Sequence, residues 1–280
     1  MTASKVSSLN SLFNTIFDDA LYVARENALL PGLVTNKTAT GMAARKISTY
    51  PTVTAAEVAD GVDFANATEW TKTLSATITP KEVMAQVVIT DQRLATDPED
   101  ARQSSAQEMG MAIATKIDAD LAALFDDFSS DLGASGSALT IQRCANAMAK
   151  LRVNHAPNPI NIVLHPYGWL DIWTELGQPA SQKALLGDVA NDAMRDFYVG
   201  DWMGAMWYTN TNIKTSGSDA YSAAFHRDAL VLDTRMAPRQ EVERDASLRA
   251  YEVNITAWYG VGEQRDGFGI QLTHDATAPS

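Results

Sequence analysis

The sequence predicts an α+β fold, on three observations. A stripe of apolar residues at helical spacing runs from Ala106 to Phe128. Two segments of extended character, Arg45 to Tyr50 and Trp70 to Ala76, flank a polar stretch too poor in apolar residues to build a core. Elsewhere helical and extended patterns follow one another with no βαβ rhythm and no internal repeat.

Taken in order, the first element is a helix over Val6 to Leu30. Leu9, Leu12, Phe13, Ile16, Phe17, Ala20 and Val23 recur at steps of three and four, and Pro31-Gly32 is the expected stop. Such a stripe needs a partner surface on its own body or on a neighbour. Asn36 to Pro80 is dominated by Thr, Ala and Ser, and reads as a long hairpin around an acidic tip from Ala55 to Ala67 with Gly61. With so few apolar residues, it is expected to project as an arm. Lys81 to Thr90 reads as a buried strand through Val83, Met84, Val87, Val88 and Ile89.

The sharpest local signal is Thr96-Asp97-Pro98-Glu99-Asp100. Asp97 suits the N-cap, Pro98 the first helical position, and the two acids the positive end of the helix dipole. The long helix that follows is expected to bury Ala106, Met109, Ile113, Ile117, Leu121, Leu124 and Phe128, and to end before Gly133 and Gly136. A shorter helix covers Thr140 to Leu151 and is broken by Asn154 to Pro159. Ile160 to Leu164 is a short buried strand, and His165-Pro166-Tyr167-Gly168 leads into a helix carrying Trp169 and Trp173. Asp201 to Ile213 reads as a turn and a strand around Met206-Trp207-Tyr208. Ala224 to Leu232 and Leu248 to Tyr259 are expected strands joined by a charged turn, Pro238 to Asp245. A last strand, Phe268 to Thr273, follows a tight turn at Gly260-Val261-Gly262.

The chain has 280 residues, enough for one large domain or two lobes, and its 46% apolar and 20% charged residues are those of a globular protein. A net charge of −12 argues against sequence-independent nucleic-acid binding, which works by cations displacing counterions from phosphates. No apolar run approaches the roughly 20 residues that cross a bilayer, and the stretch from Met1 to Leu12 has no signal-peptide character. The lone Cys144 can form no internal disulfide. The expectation is a soluble protein made in a cytoplasm.

No constellation of catalytic, cofactor-binding or metal-ligating residues emerges. His155, His165, His226 and His274 lack the spacing of a helical metal pair and read as surface or turn histidines. Gly260-Val261-Gly262 lacks the third glycine of a dinucleotide loop, and no Gly-x-Ser-x-Gly elbow is present. The acid pairs Asp18-Asp19 and Asp126-Asp127 read as solvated faces. Phe197, Tyr198, Trp202, Trp207 and Tyr208 form an aromatic cluster without interleaved bases, which fits core or subunit packing better than base stacking.

The order of parts resembles the tailed-bacteriophage major capsid proteins of the Hong Kong 97 type, over about Leu9 to Asp275. Several stretches are similar to family sequence. They are Ile160-Asn161-Ile162-Val163-Leu164-His165-Pro166 and Val199-Gly200-Asp201-Trp202-Met203-Gly204-Ala205-Met206-Trp207-Tyr208-Thr209-Asn210, with Phe225-His226-Arg227-Asp228-Ala229-Leu230 and Ala257-Trp258-Tyr259-Gly260-Val261 after them. The resemblance implies an N-arm at 1–35, an E-loop at 36–80 and a peripheral domain with its spine helix at 81–137. An axial domain follows at 138–224, then a return hairpin of the peripheral domain at 225–259 and an axial strand with the C-terminus at 260–280.

It implies a non-catalytic protein with no cofactor or metal, which assembles with itself into pentamers and hexamers of a closed icosahedral shell. Encapsulated double-stranded DNA without base-specific contacts, and separate scaffold, portal and cement proteins, are the further expected partners, with no membrane. Many members begin with a scaffolding segment of about a hundred residues that this chain lacks at Met1, so any scaffold is expected to be a separate protein. Lys46 and Lys72 lie in the hairpin, but no partner for a lysine–asparagine crosslink is identifiable. Two other readings stay open at this point: an encapsulin-like compartment, and a soluble α+β enzyme with an unrecognised site.

Overall fold

The computed structural model describes residues 28–51, 53–64, 67–96, 98–177 and 200–279. The expected N-terminal helix up to residue 27, the Asp18-Asp19 pair, the Asp97 cap, and Phe197 and Tyr198 lie outside the described residues. The chain enters through a single helical turn, α1 (Leu30–Leu33), which contains Pro31 and Gly32 instead of stopping at them. An edge strand β1 (Thr35–Thr38), which the sequence did not suggest, runs parallel to the later β10 (Leu230–Asp245). The hairpin follows as β2 (Arg45–Thr49) and β3 (Thr73–Ile78), paired antiparallel. Next come β4 (Lys81–Thr90), α2 (Asp91–Thr96) and the long α3 (Pro98–Ala123), continued by a 3-10 turn over Leu124–Asp127.

The periodic stripe forms the first core. Met109 and Ile113 of α3 pack on Ile89 of β4 and on Val253 and Ile255 of β11 (Ala250–Glu263). Each buried aliphatic contributes about 1.5–3 kcal/mol of transfer free energy. The sheet beneath α3 has the order β1-β10-β11-β4. Asp120 of α3 fastens helix to sheet, accepting the Tyr259 hydroxyl at 2.7 Å and the Lys81 and Lys116 ammonium groups at 2.8 and 2.9 Å. The other end of α3 and the 3-10 turn after it bury Leu121 and Phe125 together with Phe225, Leu230 and Tyr259, drawn from both sheets.

The second sheet is built from β5 (Ile160–Leu164), β6 (Asp201–Trp202), β7 (Ala205–Thr209), β8 (Thr215–Ser216), β9 (Asp219–His226) and β12 (Gly269–Asp275). β5 pairs parallel with β7 and antiparallel with β9, and all five of its residues are buried. Two helices cover it, α4 (Ile141–Val153) and α5 (Pro166–Gly177). Thr140 caps α4, its hydroxyl accepting the Arg143 N–H at 3.3 Å. Trp169, Trp202 and Trp207 cluster in this core, the last two stacked at 4.3 Å between ring centroids.

Four expectations need correction. β4 lies in a sheet that α3 covers on one face, so it alternates: Val83, Val87 and Ile89 face the core side, while Met84 and Val88 are 58% and 48% exposed. The expected strand Ala224 to Leu232 is two strands in two sheets, divided by a turn in which the Ala229 N–H donates to the His226 carbonyl at 2.8 Å. Pro238 to Asp245 is strand, not turn. Its charges line an exposed stretch of β10, Pro238 falls in a register shift between Met236 and Arg239, and the real turn is closed by Asp245 accepting from the Ser247 and Leu248 N–H groups.

Gly260 and Gly262 lie within β11, not in a turn, and glycine is needed there because Ile78 crosses directly over them. A Cβ on Gly260 would lie 2.7 Å from Ile78 Cγ2 and 3.2 Å from the Thr79 carbonyl oxygen. Gly260→Ala is expected to destabilise by about 1–3 kcal/mol, the cost of overpacking. A calorimetric scan should show it as a melting temperature lowered by a few degrees; an unchanged Tm would mean that Ile78 is free to withdraw.

Candidate functional site

The feature least at home in an isolated chain is the β2–β3 hairpin. Its paired strands bear a bulge between Ile47 and Ser48, and Tyr50 stacks on Trp70 at 4.8 Å just beyond them. Past that stack, residues 53–64 and 67–74 are all exposed. Val53, Val58, Val62, Phe64, Trp70 and Leu74 leave large apolar side chains in water, Trp70 at 61% exposure. Glu57, Asp60, Asp63 and Glu69 lie among them. Large apolar residues exposed together on one hairpin mark an interaction surface more often than scattered single ones do.

The hairpin is held at its base. Asp233 of β10, with no exposed side-chain surface, accepts the Arg45 Nε at 2.9 Å and a second Arg45 nitrogen at 2.9 Å. Arg235 closes on the same carboxylate at 2.9 and 2.7 Å. The spare guanidinium donors bond the Thr38 and Gly41 carbonyls, so the connection between β1 and β2 is held from both sides. Burial alone would raise the Asp233 pKa, but the two guanidiniums outweigh it and hold the carboxyl below its usual range. Ile47, Ile78 and Val231 pack beside this clamp.

Neither a protein-family model nor a curated sequence matches the chain. Solved structures do. The capsid of cyanophage P-SCSP1u superposes with a TM-score of 0.69 at 14% identity, covering 89% of each chain. The acid-stable capsid of Helicobacter pylori bacteriophage KHP30 gives 0.68 at 11% identity, over 89% of this chain and 92% of the other. A virus-like particle from Pyrococcus furiosus gives 0.61 at 9% identity, over 92% and 98%. The chain has the Hong Kong 97-type capsid fold.

Within the capsid fold, a buried carboxylate fixes the entry of the chain. Asp118 of α3 accepts the Leu30 N–H at 3.0 Å, the Asn210 side-chain amide at 2.9 Å and that of Asn212 at 3.4 Å. It thereby joins the entering chain, the long helix and the loop after β7. No sequence signal marked it, since a lone Asp in a helix looks the same whether buried or solvated.

Sequence reading also missed a serine–histidine pair. Ser222 Oγ lies 2.9 Å from His274 Nε2, with both residues buried. His274 Nδ1 faces the Asp275 carbonyl at 2.9 Å, so it carries the proton, and Nε2 accepts from the serine hydroxyl. Ser222 Oγ accepts in turn from the His165 N–H at 3.0 Å, and Gly168 lies against the imidazole so closely that a Cβ would sit 2.5 Å away. A nucleophile with no open face cannot meet a substrate; these bonds tie β9, β12 and the start of α5 together. The histidines are thus not all surface groups: His226 and His274 are buried, and His165 is half-buried. Trp202 and Trp207 are core, and Asp126 binds Lys214. Among the described residues no group of three or more His, Cys, Asp or Glu could hold a metal ion, and no helix is long and apolar enough to cross a membrane.

Burial lowers the pKa of His165, His226 and His274. Their unfolded forms take up protons below about pH 6.5 while the folded forms resist, so folding stability is lost as the pH falls through that value. Glu263, pushed up to about 7 by burial and by Asp266 and Asp127, has the opposite sign. It holds a proton in the folded state that the unfolded chain has released above about pH 4.5, and so gains stability on acidification. The protein should melt at a lower temperature at about pH 5.5 than at about pH 7, and Glu263→Gln should steepen that loss. A Tm that rises on acidification would contradict the histidine assignment.

Proposed function

We propose that the chain is the major capsid protein of a tailed phage, assembling into five-fold and six-fold capsomers of a closed icosahedral shell around double-stranded DNA. The observation that carries the reading is the extent of the match: about nine-tenths of this chain and of solved phage capsid chains superpose. The exposed apolar hairpin supports it, since a neighbouring subunit would cover what the lone subunit leaves in water. In this reading residues 1–35 are the N-arm, 36–80 the E-loop, and 81–137 with 225–259 the peripheral domain. Residues 138–224 and 260–280 form the axial domain, and the virion is the protein's location. The role is structural, and association of many modest interfaces closed by symmetry supplies the assembly energy.

The Pyrococcus furiosus virus-like particle has the same fold, which makes an encapsulin-like compartment the second reading. Both readings are tested by expressing the chain with its natural partner proteins, followed by sedimentation and negative-stain imaging. Shells containing DNA support the first, shells containing enzyme cargo the second, and monomers or dimers alone would overturn both. Limited proteolysis adds a test of the hairpin: cleavage between Ala55 and Ala67 is expected in free subunits and not in shells. Equal protection in the two would mean that the hairpin packs on its own subunit.

A further inference from the structure

A chain of net charge −12 has no Asp or Glu at all between Asp131 and Asp171. That interval contains α4, whose buried side is Ile141, Cys144, Ala147, Met148 and Leu151. At about 100° per residue, Arg143 and Lys150 align along one rim of the opposite side, about 10 Å apart, and Arg152 takes the other rim. Gln142, Asn146, Ala149 and Val153 lie exposed between them. Among the described residues none of the three cations forms an ion pair.

The helix dipole does not account for this pattern. Lys150 and Arg152 sit in the last turn, where a cation is favourable, but Arg143 sits in the first, where it is not. Among the described residues, two carboxylates beside the start of α4 serve backbone groups, Glu175 accepting the Ile141 N–H at 2.8 Å and Asp171 the Leu139 N–H at 2.9 Å. Two anionic partners could meet such a surface. The acidic hairpin tip of another copy brings Val58, Val62, Phe64 and Trp70, which need apolar burial, and this side of α4 offers them chiefly Val153. A phosphodiester backbone brings charge and no apolar surface.

We infer that the outward side of α4, through Arg143, Lys150 and Arg152, is a contact surface for the phosphates of duplex DNA. The inference rests on the capsid reading for its biological setting, since it makes this helix genome-facing. Three cations per subunit on a strongly acidic body give weak, salt-sensitive contacts, which let a duplex move across the surface instead of fixing it.

The test uses full-length subunits and a fluorescein-labelled duplex of about 30 base pairs, with anisotropy read between about 50 and 200 mM salt. Wild type should give a plot of log affinity against log salt with a slope of about −2 to −3, one phosphate per cation. The variant Arg143→Gln/Lys150→Gln/Arg152→Gln should bind at least about tenfold more weakly, with a slope near zero. A control with the same charge change elsewhere, Lys46→Gln/Arg227→Gln/Arg249→Gln, all exposed and outside α4, should keep the wild-type slope. Absent wild-type binding, an unchanged slope in the α4 variant, or an equal loss in the control would overturn the inference. So would an α4 variant that binds DNA normally but no longer forms shells, which would make the surface a subunit contact. Shell formation by wild type is scored separately, so failure of the capsid reading and failure of this one are told apart.

Discussion

Ile113→Asp is expected to abolish soluble folded subunits or lower their stability by several kcal/mol. Ile113 is buried between Met109 on its own helix and Ile89, Val253 and Ile255 of the sheet, all of them apolar. A carboxylate placed there must be desolvated or protonated, and either costs a large share of the roughly 5–15 kcal/mol that holds a domain folded. Met111, on the same helix and 49% exposed, supplies the control. Met111→Asp carries the same new charge and a similar helix propensity but stays in water, so it should shift subunit stability by less than about 1 kcal/mol. Soluble yield and thermal unfolding of the two variants, measured side by side, check this. Equal stability of the pair would mean that α3 does not bury this stripe.

Asp233→Ala should produce the second large effect, for the opposite electrostatic reason. It leaves Arg45 and Arg235 facing each other around an empty site with no counter-charge, and Arg235 is almost wholly buried. Breaking a buried ion pair by removing one partner costs about 3–5 kcal/mol. Arg45→Met separates the hairpin's part from the body's. It leaves Asp233 and Arg235, both on β10, as a neutral pair, so subunit unfolding should shift much less than in Asp233→Ala. The base of the hairpin, however, loses its ionic tie to the sheet and keeps only the packing of Ile47 and Ile78. Shell yield by sedimentation should fall, and protease should enter the hairpin faster. If Arg45→Met assembles like wild type with wild-type proteolysis, the clamp is a stability device only and does not direct the hairpin.

Local physics determined much of this protein in its sequence alone. The 3.6-residue period fixed which side of α3 is buried, because helix geometry places Met109, Ile113 and Leu121 on one side whatever the partner. Ile160 to Leu164 could be read as a fully buried strand from its continuous apolar run, and Asn154 to Pro159 as the break before it. The hairpin was legible too, as two extended stretches around a tip too poor in apolar residues to build a core of its own. Tertiary structure decided the rest, since it depends on partners far away in the chain. Met84 and Val88 are as apolar as their neighbours, and they face water because α3 covers the other face of the sheet. The charges from Arg239 to Asp245 look like a turn, because a solvated strand surface and a solvated loop have the same composition. Gly260 and Gly262 are explained by Ile78 crossing over them, and Asp233 by an arginine 188 positions away. Ser222 and His274 meet across 52 positions through β9 and β12. Such pairs form when strands find their register, and nothing within a few residues of either one encodes the meeting.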